Sequence, residues 1–288
     1  LLACALCILG FSGAYFARGE YDETWMSLHK IAGLGLLCVA ILHIITRRRK
    51  LVKLWGEFLD VKDFDTASLV KFAASHGGER VFMSSVTDCY NSYEARFGAT
   101  RKVLEALVGS DINLQILTKS SLVTRDIDLL QTMPNARIGV SLSVIGENLR
   151  RMLEPRASPA AARIAAIKKL RAAGVKTYIF VAPISPQITP VFDIISHYGD
   201  AANEMWFDRL NLYPNFRDKI LAFIGRNFPA LLPLYKQIYL FGEDGYFERL
   251  ADEIRLTAQE KFGSEGDERF RVFFGRRKSG ADKFERRK

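Results

Sequence analysis

Four segments of this chain share one plan, and that plan restricts the fold more than anything else in the sequence. Val81–Tyr90 reads Val-Phe-Met-Ser-Ser-Val-Thr-Asp-Cys-Tyr: a buried strand that runs into small polar side chains, a carboxylate and a turn. Leu114–Ser121, Ala136–Ser143 and Val175–Pro186 repeat it, each apolar at first and then stopping on Ser, Thr, Lys or Pro. Short apolar runs bounded by turn residues are the signature of strands covered on both faces. Strands that end in polar tips, with helices between them, predict an α/β fold: a partial (β/α) TIM-type barrel whose site lies at the C-terminal strand ends.

The stretches between these strands fit that architecture. Ser68–Ser75 reads as a short helix stopped by His76-Gly77-Gly78, and Ala160–Ala173 as an Ala-rich helix ended by Gly174. Met205–Leu212 is a further strand, and Asp252–Phe262 a last helix. Phe216–Phe228 and Leu231–Phe241 are amphipathic helices with aromatic stripes, read here as a cover for the open side of an incomplete barrel. Base stacking is the alternative. Gly263–Lys288 is charged and Gly-containing, which predicts a mobile basic tail.

Charge and cysteine content narrow the setting. The formal charge of +9 is concentrated in Arg47–Lys50 and in Arg269–Lys288. That surplus suits an anionic membrane face or nucleic acid, the alternative being a solvated basic surface. A hydrophobic content of 49% with 25% charged residues excludes wholesale disorder. Four cysteines without repeating spacing exclude a disulfide framework and favour a reducing compartment.

Residues 1–50 have a different character. Leu1–Phe16 and Ile31–Ile45 are almost wholly apolar, with the polar loop Arg18–Thr24 between them. Extended back to Trp25, the second run reaches the roughly 20 residues a helix needs to span the hydrocarbon core. The first is short, as a helix cut by a missing N-terminus would be, and the chain starts at Leu1 without Met. The expectation is a transmembrane helical hairpin, itself a fragment, with Arg47–Lys50 placing the main domain in the cytoplasm. His29 and His43 fall on one face of the second helix, about 21 Å apart along its axis. The segment resembles part of a b-type cytochrome-like membrane domain, which would make these two histidines haem ligands with partners on absent helices or another subunit. Interfacial histidines without metal, or histidines packed on a partner helix, are the alternatives. Cys4, Cys7 and Cys38 read as small apolar residues of membrane helices.

Several ordered motifs then carry a second resemblance. Ser84–Asp88 (Ser-Ser-Val-Thr-Asp), Leu117–Ser120 (Leu-Thr-Lys-Ser), Thr124–Leu130, Glu154-Pro155-Arg156 with Arg163, and Val181-Ala182-Pro183-Ile184 resemble the radical S-adenosylmethionine (radical SAM) enzymes. The branch they look like is the spore photoproduct lyase-like one, over about residues 55–246, beginning with Trp55–Lys62. The resemblance implies reductive cleavage of S-adenosylmethionine (SAM) to a 5′-deoxyadenosyl radical, with a [4Fe–4S] cluster as second cofactor. Carried over position by position, it puts Thr87 and Asp88 at the cofactor, Asp88 as acceptor for the methionine ammonium. Lys119 suits the cofactor carboxylate, Ser141 the carboxylate or ribose, and Ser84 and Ser85 are nearby polar candidates. Glu154, Arg156 and Arg163 would position substrate or an anion, the alternative being helix initiation with an ion pair. Cys89 stands where this branch usually has proline.

One part of the pattern is missing. The family's cluster needs three thiolates spaced Cys-x-x-x-Cys-x-x-Cys. The cysteines of this chain are Cys4, Cys7, Cys38 and Cys89, and no three have that spacing. Three units are therefore expected: a membrane hairpin at 1–50, a radical SAM-like barrel at 51–262 and a mobile tail at 263–288. The barrel is expected to hold SAM without generating the radical. The alternatives are a membrane-tethered, non-catalytic ligand-binding or partner-binding module, and a membrane haem protein with a cytoplasmic appendage. Nucleic acid as a partner rests on family analogy and the basic tail.

Overall fold

The first helix of the described residues starts where its sequence supplies a cap. In a computed structural model, which describes residues 65–84, 87–243 and 245–274, helix α1 spans Thr66–Ser75. Asp65 caps it, its Oδ1 accepting from the amides of Ala67 and Ser68 at 3.1 and 3.3 Å. After strand β1 (Arg80–Met83) come the short helix α2 (Glu94–Phe97) and helix α3 (Ala99–Leu107), then strand β2 (Asn113–Thr118). A 3₁₀ turn and helix α4 (Ile127–Leu130) lead to β3 (Arg137–Ser141). Helices α5 (Glu147–Leu153) and α6 (Ala160–Ala172) precede β4 (Lys176–Ile184). Helix α7 (Val191–Tyr198) leads to β5 (Glu204–Arg209). Helices α8 (Pro214–Asn227), α9 (Leu232–Tyr239), α10 (Gly245–Phe262) and α11 (Glu265–Arg269) come before β6 (Phe270–Val272).

The six strands of the described residues form one sheet in the order β1-β2-β3-β4-β5-β6, and each pairing among them is parallel. The four polar-tipped segments are its first four strands, as the sequence predicts, in a TIM-like parallel α/β arrangement. Strand alternation separates two faces, visible in the burial of β2, where every second residue is buried. Ile116, Ile138, Val140, Ile179, Val181, Met205 and Phe207 belong to the packed face. They meet Leu104, Ile164, Ile167, Leu170, Ile194 and Ile254 from the helices in one core. The opposite face carries Arg80, Gln115, Arg137, Tyr178, Glu204 and Trp206, half-buried or exposed except for Tyr178. At Gly139 the Tyr178 ring crosses so closely that a Cβ would sit 2.2 Å from it, so only glycine fits there.

Two expectations are corrected. Residues 263–274 do not begin a mobile tail: they form α11 and the sixth strand, with Phe270 in the main core. The apolar sides of α8 and α9 pack on each other, with Leu221, Ile224 and Tyr235 in a small core of their own beside Ile188 and Leu210. Those two residues follow β4 and β5, so the helices cover strand ends rather than the open face. The hairpin expected at 1–50, with His29 and His43, and the family-like stretch Trp55–Lys62 lie outside the described residues. Among the described residues no helix is long and apolar enough to cross a membrane.

Candidate functional site

The C-terminal ends of β1 to β5 surround a hollow of about 420 Å³. It is lined by Ser84, Thr87, Asp88, Leu117, Thr118, Lys119, Ser141, Phe180, Ala182, Pro183, Asp208 and Arg209. Thr87, Asp88, Lys119 and Ser141 are thus brought together from three different strand ends. Ser85 lies outside the described residues.

Local backbone demands explain how Asp88 gets there. Strand β1 is followed by Ser84 with φ +75°, a left-handed conformation that costs a non-glycine residue about 1–3 kcal/mol. Ser84 Oγ accepts the Cys89 amide at 2.9 Å and so closes the turn that carries Asp88. Asp88 Oδ1 then accepts from the Thr118 hydroxyl at 2.7 Å and the Tyr90 amide at 2.9 Å, and Oδ2 from the Lys119 amide at 2.7 Å. A carboxylate offers about four lone-pair positions, so three are taken within the protein and one is left for a ligand. Asp88 is first a clamp between the β1 loop and the end of β2.

Ser141 Oγ donates to the Ala182 carbonyl at 3.0 Å. With its hydrogen committed, the hydroxyl can accept but not donate, which suits a ribose hydroxyl or an ammonium better than a carboxylate. Lys119 Nζ is 2.9 Å from Glu154 Oε1. An ammonium has three donors, so Lys119 keeps two for a ligand anion.

Behind Lys119 the polar residues form a buried layer. Glu154 is 8% exposed and Arg163 fully buried. Arg163 Nη1 is 3.0 Å from Glu154 Oε2 and donates to the Ser141 carbonyl at 2.5 Å. Ser143 Oγ donates to Glu154 Oε1 at 2.9 Å. Burial acts to raise the pKa of Glu154, but Lys119, Arg163 and Ser143 outweigh it and hold the carboxyl below the usual range. Arg163 Nε and Nη2 have no hydrogen-bond acceptor among the described residues. Glu154 and Arg163 therefore support the floor beside Lys119 and Ser141, while Arg156 is exposed and takes no part in this layer. Cys89 does not line the hollow; burial, only partly offset by the hydrogen bond with Ser84, pushes its thiol up to about 11, so it stays protonated at neutral pH.

The sequence reading missed Thr118, Phe180, Asp208 and Arg209 as lining residues. Strand parity would have found Phe180, which stands two residues before Ala182 in β4 and so faces the same way as that motif residue. It also missed Arg150, which donates to the Glu154 and Ala157 carbonyls at 3.1 and 2.8 Å and fixes the chain around Glu154.

A family model for the radical SAM superfamily matches residues 62–187. An uncharacterised protein of Methanocaldococcus jannaschii is 31% identical over 207 residues, which make up 72% of this chain and 75% of that protein. The chain belongs to the radical SAM superfamily. A Mycobacterium tuberculosis relative is also 31% identical, over 65% of this chain and 61% of its own length. The chain therefore spans about three fifths of the mycobacterial protein. Among solved structures, a spore photoproduct lyase double mutant with bound AdoMet and dinucleoside spore photoproduct aligns at TM-score 0.52 and 17% identity. That alignment covers 73% of this chain and 66% of the other, and it shows a radical SAM fold.

The superfamily implies SAM and a [4Fe–4S] cluster. The residues at the strand ends fit SAM: one volume within the range of ligand sites joins Leu117, Phe180, Ala182 and Pro183 to a cation, a carboxylate and hydroxyls. The cysteines of this chain do not fit the cluster. Cys89 is the one cysteine among the described residues, and no three of the four in the sequence have the family spacing.

Proposed function

We propose that this radical SAM domain, of the spore photoproduct lyase-like branch, binds SAM in the hollow at the C-terminal strand ends and that this chain alone does not cleave it. The observation that carries the reading is the convergence of Asp88, Lys119 and Ser141 on one volume from three successive strand ends. Bound SAM supplies a sulfonium centre flanked by a nucleoside and an amino acid. Lys119 holds the amino-acid carboxylate, and Glu154 keeps its ammonium at the rim. Asp88 offers its remaining lone pair to the methionine ammonium. Ser141 accepts from a ribose hydroxyl, and Phe180 with Leu117 gives the adenine an apolar surface. Thr87 is exposed at the mouth, where its hydroxyl can reach a ligand.

Isothermal titration of the full chain with SAM tests this. A hydrogen bond to a charged group contributes about 1.5–3 kcal/mol, so Lys119→Ala should weaken SAM at least about tenfold. Equal affinity in wild type and Lys119→Ala, or no SAM binding, would overturn the assignment. The lack of cleavage is a separate claim. It fails if anaerobic iron–sulfur reconstitution of this chain gives 5′-deoxyadenosine from SAM. Membrane attachment rests on the apolar runs within residues 1–50, and release of the full chain by alkaline carbonate would remove it.

A further inference from the structure

We propose a second, anion-binding site on the open face of the sheet, at the N-terminal strand ends, that takes a small phosphate-bearing ligand. A separate hollow of about 270 Å³ lies there, lined by residues that include Arg80, Asn113, Arg137, Lys176, Trp206 and Arg271. The four cations come from four strands, β1, β3, β4 and β6. Opposite them stands Glu204. Its Oε1 is 3.1 Å from Arg137 Nη1, and its Oε2 is 3.0 Å from Arg271 Nε and accepts the Trp206 indole N–H at 2.7 Å. Four positive side chains and one carboxylate leave a surplus of three. Arg80 and Lys176 have no carboxylate within ion-pair distance among the described residues.

This arrangement works against stability in the ligand-free protein. Arg137 and Lys176 are direct register partners on adjacent strands, where like charges are destabilising. The inward layers of a TIM-type barrel are ordinarily filled by branched apolar residues. Here the outermost layer of the open face is instead Arg80, Asn113, Arg137, Lys176, Glu204 and Arg271. An anion of two or more charges between Arg137 and Lys176 would turn that repulsion into attraction.

Aromatic rings brace the cations. Trp206 stacks on Tyr178 with ring centroids 4.1 Å apart, and the Arg137 and Arg271 guanidiniums each lie 5.8 Å from the indole centroid. Each planar guanidinium still has donors beyond the one given to Glu204, the geometry that suits phosphate oxygens. Asn113 and Gln115 add side-chain amides to the lining. The volume falls just below the usual range for drug-sized ligands, so the ligand is small. The charges converge on one hollow instead of following a track, which favours a free phosphate ester or diphosphate over a nucleic-acid strand.

Isothermal titration of the full chain with pyrophosphate at low salt is the test. One site per chain is expected, weakening as salt rises. The double variant Arg80→Gln/Lys176→Gln removes two exposed cations that support no ion pair, and should weaken pyrophosphate by tenfold or more. SAM affinity should be the same in that variant, because its hollow is at the other end of the strands. Absence of pyrophosphate binding, undiminished binding in the double variant, or binding of a single-stranded oligonucleotide without pyrophosphate would each overturn the proposal.

Discussion

Glu154 has a negative charge 8% exposed because Lys119 and Arg163 reach it from two directions, one at the rim and one from the core. Removing one partner of a buried pair leaves the other charge uncompensated, at about 3–5 kcal/mol. Glu154→Gln should therefore destabilise the domain by about 3 kcal/mol at neutral pH, measured by urea unfolding. The pH dependence follows from a folded pKa held below 4.5. The ionised carboxylate contributes its full stability above its unfolded pKa and loses it as pH falls through the folded one. The gap between wild type and variant should thus be widest at neutral pH and close in acid. Lys119 and Asp88 were legible in the sequence as strand-end residues. Their second tasks were not, because a polar residue that lines a hollow and one that ties two strands look the same without the third dimension.

At the scale of elements, the apolar strands β1 to β5 and the Ala-rich α6 could be read directly, since composition and turn residues mark them. Strand β6 could not: it is three residues long, and Arg269 and Arg271 break its apolar pattern. Helix α10 begins well before Asp252, the first residue expected, because Phe247 and Leu250 already face the core. The crossing of Tyr178 over Gly139 also depends on register, which no local pattern specifies. Gly139→Ala should lower stability by about 1–3 kcal/mol through overpacking. In a Tyr178→Ala background the same substitution should do much less harm. A double-mutant cycle of unfolding free energies measures that coupling, and additive values would rule out the contact as the cause.

For the molecule as a whole, the sheet depends on its last strand. Phe270 is 8% exposed and packs against Phe207 and Phe262, with ring centroids about 5.5 Å apart. Burying such a side chain contributes about 1.5–3 kcal/mol, so ending the chain at Gly263 should lower the melting temperature measurably against the full chain. An unchanged melting temperature would mean that β6 is not part of the cooperative unit. The strand order has a kinetic consequence as well. Among the described residues every pair of adjacent strands is also consecutive along the chain, so no loop between them has to close over more than one crossover. A ribosome making this protein releases each of these six strands just after the one it must pair with, and this part of the sheet can be laid down in the order of synthesis.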